Sequence, residues 1–139
     1  MTPQATLKPI GEIVTPYKVL ADCPRNIDPN GPPCELVLRG GLRDGLLGLA
    51  TGQRILILYW LEHAERSTLR QDSRRTGELA GVFALRTPNR PNPIGVAVLP
   101  IEQIINGVIT VRGLDCLDGT PLLDIKPAMS GEQIHLDQD

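Results

Sequence analysis

Aromatic side chains are scarce in this chain, with one Trp, two Tyr and one Phe among 139 residues. So small a set excludes a surface of stacked rings for reading single-stranded nucleic acid. Long hydrophobic runs are also missing. The longest, residues 55–61, falls far short of the ~20 residues of a membrane-spanning helix. Residues 1–8 carry no apolar stretch of the kind a secretory signal needs, so neither export nor a membrane partner is expected. Cys23, Cys34 and Cys116 are odd in number and lack CxxC spacing, and the two histidines, His63 and His135, lie far apart. Reduced thiols, a cytoplasmic location and no metal are therefore expected. GxGxxG, Walker, GxSxG and HExxH patterns are absent too, which removes the usual nucleotide-fold and hydrolase readings.

Net charge is −2, so bulk charge gives no case for a polyanionic partner. Its distribution does. Residues 66–90 hold Arg66, Arg70, Arg74, Arg75, Arg86 and Arg90 against only Asp72 and Glu78, a local charge of +4. Such a cluster can face phosphates, or it can be a solvated loop.

Strand-like runs are short and separated by turn residues. They cover residues 7–15, 35–38, 55–61, 81–85, 95–104, 108–117 and 122–125. The run at 55–61 is continuously apolar, the pattern of a strand buried on both faces. Pro100 marks an edge or bulge, and Asn106-Gly107 is a strong hairpin signal. Residues 41–52 are Leu-rich but interrupted by Gly45 and Gly48, and residues 62–75 read as loop or marginal helix. The spacing predicts an all-β fold, a β-barrel or a sandwich, compact and single-domain over residues 1–139, with long loops and little helix. One such loop, residues 23–33, is dense in Pro, Asn and Asp, and loops of that length usually carry function.

Two segments are unusual. In Arg86-Thr87-Pro88-Asn89-Arg90-Pro91-Asn92-Pro93-Ile94-Gly95, three prolines pin φ and leave little entropy to lose on binding. In Arg112-Gly113-Leu114-Asp115-Cys116-Leu117-Asp118-Gly119-Thr120-Pro121, Asp118 reads first as a turn residue bonding backbone amides. Asp124 and Lys126 alternate with Leu123 and Ile125, as in a same-face ion pair. Cys116 reads as a buried strand cysteine.

Gly81-Val82-Phe83-Ala84, Arg86 and Arg90-Pro91-Asn92-Pro93-Ile94-Gly95 resemble the signature of the TsaA-like family, also called YaeB or TrmO. Asp118-Gly119-Thr120-Pro121 with Asp124-Ile125-Lys126-Pro127 resembles its second signature. Ile10-Gly11-Glu12-Ile13, Thr15-Pro16-Tyr17-Lys18 and Pro24-Arg25 look like its opening, and Leu58-Tyr59-Trp60-Leu61 like its central strand. The likeness covers about residues 10–127 and is to the short form, without the extra C-terminal domain of longer members. Gly52-Gln53-Arg54 stands where the family usually has Phe-Ser-His, and Asn89 where Phe is frequent.

The resemblance implies a homodimeric β-barrel that binds S-adenosylmethionine. It implies methyl transfer to the exocyclic nitrogen of threonylcarbamoyladenosine beside the tRNA anticodon. Carried over by motif position, the cofactor contacts are Asn26, Ile27, Asp28, Glu62, His63, Arg86, Asn92, Val96, Arg112, Gly113, Leu114 and Asp115. The acceptor nitrogen is urea-like and a poor nucleophile, so a carboxylate base is expected among Asp115, Asp118 and Asp124. Arg66, Arg70, Arg74, Arg75 and Arg90 are the candidate tRNA contacts. The alternatives are a methyltransferase for a small molecule or protein, or a non-catalytic S-adenosylmethionine-binding module.

Overall fold

The computed structural model describes residues 3–133, so His135 lies outside the described residues. Nine strands form: β1 (Gly11–Val14), β2 (Pro33–Leu38), β3 (Arg54–Trp60), β4 (Arg70–Asp72), β5 (Leu79–Gly81), β6 (Ile94–Pro100), β7 (Gln103–Ile105), β8 (Val108–Arg112) and β9 (Thr120–Pro127). Seven make one antiparallel sheet in the order β6-β3-β9-β1-β2-β8-β7, and β4 pairs with β5 separately. The only helical pieces among the described residues are short 3-10 turns at Leu20–Asp22, Gly40–Leu46 and Val82–Ala84. None is long and apolar enough to cross a membrane.

The fold is mostly β with little helix, as the turn spacing implies, but the sheet does not close into the expected barrel. Among the described residues no ladder joins its two edge strands, β6 and β7. Pro100 ends β6 without an N–H to offer, and Ile101-Glu102 turns a corner from one edge to the other. At that corner Ile101 exchanges hydrogen bonds with the Gly52-Gln53 turn, while the Glu102 N–H already donates to Thr110 on β8. The run expected as one strand over 95–104 is therefore two.

Three further expectations change. β3 is buried on one face only: Ile55, Ile57 and Tyr59 are inside, while Leu56, Leu58 and Trp60 are half-exposed. Its neighbours β6 and β9 are antiparallel, so no crossover helix covers the outer face. The run at 81–85 is not a strand. β5 stops at Gly81, and a 3-10 turn follows, anchored by buried Val82 and Leu85. The run at 108–117 is a strand only to Arg112, because Gly113 has φ +79° and turns the chain. Cys116 is buried, but in that loop and not on a strand.

The Asn106-Gly107 hairpin forms as predicted, with φ values of 51° and 79°. The core gathers Ile13, Leu36, Ile55, Ile57, Leu99, Ile109, Val111, Leu114 and Leu122 from six strands and the loop after β8.

Candidate functional site

A cleft of about 1150 Å³ opens at the end of β3, walled by four segments far apart in sequence. The first is the loop at 23–33. Its Asp28 N–H donates to the Gly113 carbonyl (2.8 Å), and the Gly113 N–H donates to the Pro32 carbonyl (2.9 Å). A Cβ on Gly113 would overlap the Asp28 carbonyl, so this docking needs glycine there. Ile27 plugs the loop into the core at 3% exposure, which places Cys23, Pro24, Arg25 and Asn26 on the cleft wall.

The second wall is the exit from β3, with Tyr59, Leu61, Glu62, His63 and Ala64. The third is the proline loop, and its rigidity has more than one source. Arg66 donates from Nε to the Pro91 carbonyl (2.7 Å) and from Nη2 to Asn92 Oδ1 (3.3 Å). Its guanidinium also lies 5.1 Å from the centre of the Trp60 ring, a contact worth about 0.5–1 kcal/mol at an exposed site. Arg90 donates from Nη1 to the Leu85 and Thr87 carbonyls, both at 3.0 Å. Asn89 Oδ1 accepts from the Glu65 N–H (3.1 Å), and Thr87 Oγ1 donates to Gln71 Oε1 (3.0 Å). Loop and flanking chain are thus fastened at both ends.

The fourth wall is the loop after β8. Asp115 reaches the cleft and accepts a 2.9 Å hydrogen bond from the buried Tyr59 hydroxyl. Burial pushes the Asp115 carboxyl above its ordinary range, and the Tyr59 hydrogen bond pulls it partly back. Burial also pushes the Tyr59 phenol well up, followed by the neighbouring Asp115 charge, so the phenol stays a donor.

The cleft brings together the expected residues Asn26, Glu62, His63, Arg74, Arg86, Arg90, Asn92, Val96 and Asp115. The others sit elsewhere. Arg86, Val96 and Ile27 also border a second, smaller cavity of about 340 Å³. Asp28 is exposed on its own turn, where Oδ1 accepts from the Asn30 N–H (2.9 Å). Leu114 is in the core at 0% exposure, and Gly113 is the docking point described above. Arg112 pairs with Glu102 (2.7 Å) and donates to the Gly31 carbonyl (3.3 Å). Asp118 holds the N-terminal segment, accepting from the Thr15 N–H (3.0 Å) and pairing with Lys18 (2.8 Å). Asp124 pairs with Lys126 (3.4 Å), the same-face pair expected from the alternation. Arg70 and Arg75 are exposed on and beside β4, outside the cleft lining, as is Arg66.

Arg25, Arg74 and Arg86 line the cleft with no hydrogen-bond or ion-pair partner among the described residues. They face Glu62, the half-buried Asp115 and an apolar rim of Leu20, Ile94 and the 79%-exposed Phe83. Sequence reasoning missed Arg25, Tyr59 and Phe83. All three lie inside the quoted motifs, and Phe83 is the chain's only phenylalanine. Such a cleft can take a ligand with anionic and planar parts, with one deep carboxylate as proton acceptor or cation partner.

Residues 12–131 match the model of the tRNA-methyltransferase O N-terminal domain. A probable S-adenosyl-L-methionine-binding protein, VirR, of Rhizobium radiobacter is 44% identical over 126 residues, covering 91% of this chain and 72% of that protein. A mouse tRNA (adenine(37)-N6)-methyltransferase is 38% identical over 85 residues, 59% of this chain and 20% of that enzyme. The solved structure of TrmO from Pseudomonas aeruginosa superposes with a TM-score of 0.73 at 31% identity. That match covers 93% of this chain, which spans 56% of the solved one.

Proposed function

The chain belongs to the tRNA-methyltransferase O N-terminal domain family, and from that premise we propose that it is an S-adenosylmethionine-dependent methyltransferase acting on adenine in tRNA. The observation that carries the reading is the convergence of Asn26, Glu62, His63, Arg86, Val96 and Asp115, from four separate segments, on one cleft. The finer reading takes N6 of threonylcarbamoyladenosine next to the anticodon as the acceptor, and a cytoplasmic homodimer as the working form.

The residues present fit the cofactor. S-adenosylmethionine carries a carboxylate, an ammonium, ribose hydroxyls and a flat adenine around its sulfonium, which supplies an electrophilic methyl group. Arg86 has no partner among the described residues and is free to hold the carboxylate. Glu62 and the polar edge of Asn26 suit the ammonium and hydroxyls, and the apolar rim suits the adenine. Arg74, which also has no partner among the described residues, and the exposed Arg70 and Arg75 of the β4–β5 arm are placed for tRNA phosphates.

Arg66 and Arg90 act differently from the expectation, as clamps on the proline loop. Their work is positional, and alignment of donor and acceptor is the main source of rate in a displacement of this kind. Of the three candidate carboxylates only Asp115 lines the cleft, so the general-base role goes to it. Its raised pKa improves it as a base while the Tyr59 hydrogen bond keeps it ionisable.

The test is methyl transfer from labelled S-adenosylmethionine to tRNA from cells lacking this gene, followed by nucleoside mass analysis. A methylated threonylcarbamoyladenosine is expected. Cofactor binding with no methylated nucleoside in any tRNA would reject the reading and favour another substrate or a sensing role.

A further inference from the structure

We propose that Tyr59 is a positioning residue for this reaction: its buried phenol fixes the Asp115 carboxylate in the cleft floor, and Gly95 supplies the slot that its ring occupies. The inference rests on the methyltransferase reading and deepens it.

Three independent features set Tyr59 apart from the other inward residues of β3. The β3–β9 register shifts between Leu58, opposite Asp124, and Tyr59, opposite Leu122. An irregularity of this kind adds twist and re-aims the side chains beside it. Ile55 and Ile57 fill the core, and Tyr59 beyond them meets the cleft. Second, Tyr59 sits opposite Gly95 on β6, the residue that ends the proline loop. A methyl group at Gly95 would lie 2.5 Å from Cε2, 2.8 Å from Cδ2 and 2.9 Å from Cζ of the ring, so the ring lies against the glycine backbone. Third, the Tyr59 hydroxyl, at the end of a side chain 3% exposed, spends its hydrogen bond on Asp115 Oδ1 at 2.9 Å. The chain thereby ties the exit of the proline loop to a carboxylate in a loop 20 residues on, through one ring.

The carboxylate's electrostatic surroundings define what the phenol does. Tyr17 and Cys23 face it from the N-terminal segment, Cys34 from β2 and Cys116 from its own loop. Burial pushes all three thiols up, so they stay neutral. Across the cleft stand Glu62, His63, Arg25, Arg74 and Arg86. The Tyr59 hydroxyl is the side-chain donor that opposes the cost of burying the Asp115 charge. Without it only a backbone hydrogen bond opposes burial, the carboxyl titrates at higher pH, and less of it is ionised at neutrality.

The experiment compares wild type with Tyr59→Phe, which keeps the ring and its packing. Methyl transfer at pH 7 is expected to fall by on the order of tenfold in kcat. The acid limb of the profile should move to higher pH, with activity partly recovered in alkaline buffer and KM for S-adenosylmethionine little changed. Gly95→Ala, which displaces the ring, should show the same shift. A loss of equal factor at every pH would overturn the inference, since a merely structural tyrosine behaves that way. A second readout needs no turnover: carboxyl-carbon NMR titration of Asp115 in the free protein. Its midpoint should rise in Tyr59→Phe, and an unchanged midpoint sinks the proposal whatever the activity. A wild-type protein that methylates no tRNA, with the midpoint still shifted, would instead reject the function and retain Tyr59 as the group that sets Asp115.

Discussion

Asp115 and Asp118 stand three positions apart in one motif and meet opposite fates. Asp115 is drawn into the cleft, while Asp118 spends both oxygens on the N-terminal segment. The Lys18 hydrogen bond, aided by the Thr15 amide, holds the Asp118 carboxyl below its usual range. A depressed carboxyl stabilises the fold above the unfolded value near ~3.9, and that contribution is lost as pH falls through the folded value. Lys18 is 68% exposed, so the ion pair itself adds little, and the amide bond is the larger part. Asp118→Asn is therefore expected to cost about 1 kcal/mol at pH 7 and a few degrees of Tm. The gap from wild type should narrow near pH 3, and methyl transfer per folded molecule should stay within twofold. Thermal melts at the two pH values, beside one rate measurement, check it. A loss of turnover without a loss of Tm would place Asp118 in the chemistry after all.

Among the elements, the loops carry the site and the sheet carries the loops. The loop at 23–33 was legible because proline, asparagine and aspartate crowd it, and the stiffness of the proline loop followed from its three prolines. Where those loops dock was not legible. Gly113 and Asp28 meet across 85 residues, and Arg66 reaches Pro91 across 25, by backbone geometry that no spacing encodes. The same blindness hid the difference between arginines: Arg66 and Arg90 look like Arg74 in a charge count, yet they bond carbonyls. Barrel closure failed for a related reason, since most strand runs of the large sheet are legible and the corner at Ile101-Glu102 is not. Gly113→Ala tests the docking directly. A side chain there meets both a φ of +79° and the Asp28 carbonyl, a strain on the order of 1–3 kcal/mol that is relieved by lifting the loop. The neighbouring β2 and β8 are held by their own ladder, from Pro33 opposite Arg112 to Val37 opposite Val108. Cofactor affinity measured by calorimetry is thus expected to weaken tenfold or more, while far-ultraviolet circular dichroism is unchanged.

At the scale of the whole molecule, the proposed tRNA substrate asks a chain of net charge −2 to hold a polyanion through local charge alone. Arg74 in the cleft, with Arg70 and Arg75 on the β4–β5 arm, concentrates the exposed positive charge. Each arginine that neutralises a phosphate releases counterions, and the logarithm of affinity falls linearly with the logarithm of salt. An arginine that only fastens a loop contributes no such dependence. The two kinds can therefore be sorted by slope. Arg74→Ala should weaken tRNA binding and flatten the salt dependence by roughly 0.7–0.9 for one lost phosphate contact. Cofactor affinity should stay near wild type. Arg66→Ala frees the Pro91 carbonyl and Asn92, so it should lower turnover and cofactor affinity together and leave the slope where it was. Filter binding of tRNA across a salt series decides the matter. Equal slopes for wild type and Arg74→Ala would mean that this arm does not touch the tRNA backbone, and the phosphate contacts would then have to come from another face of the molecule.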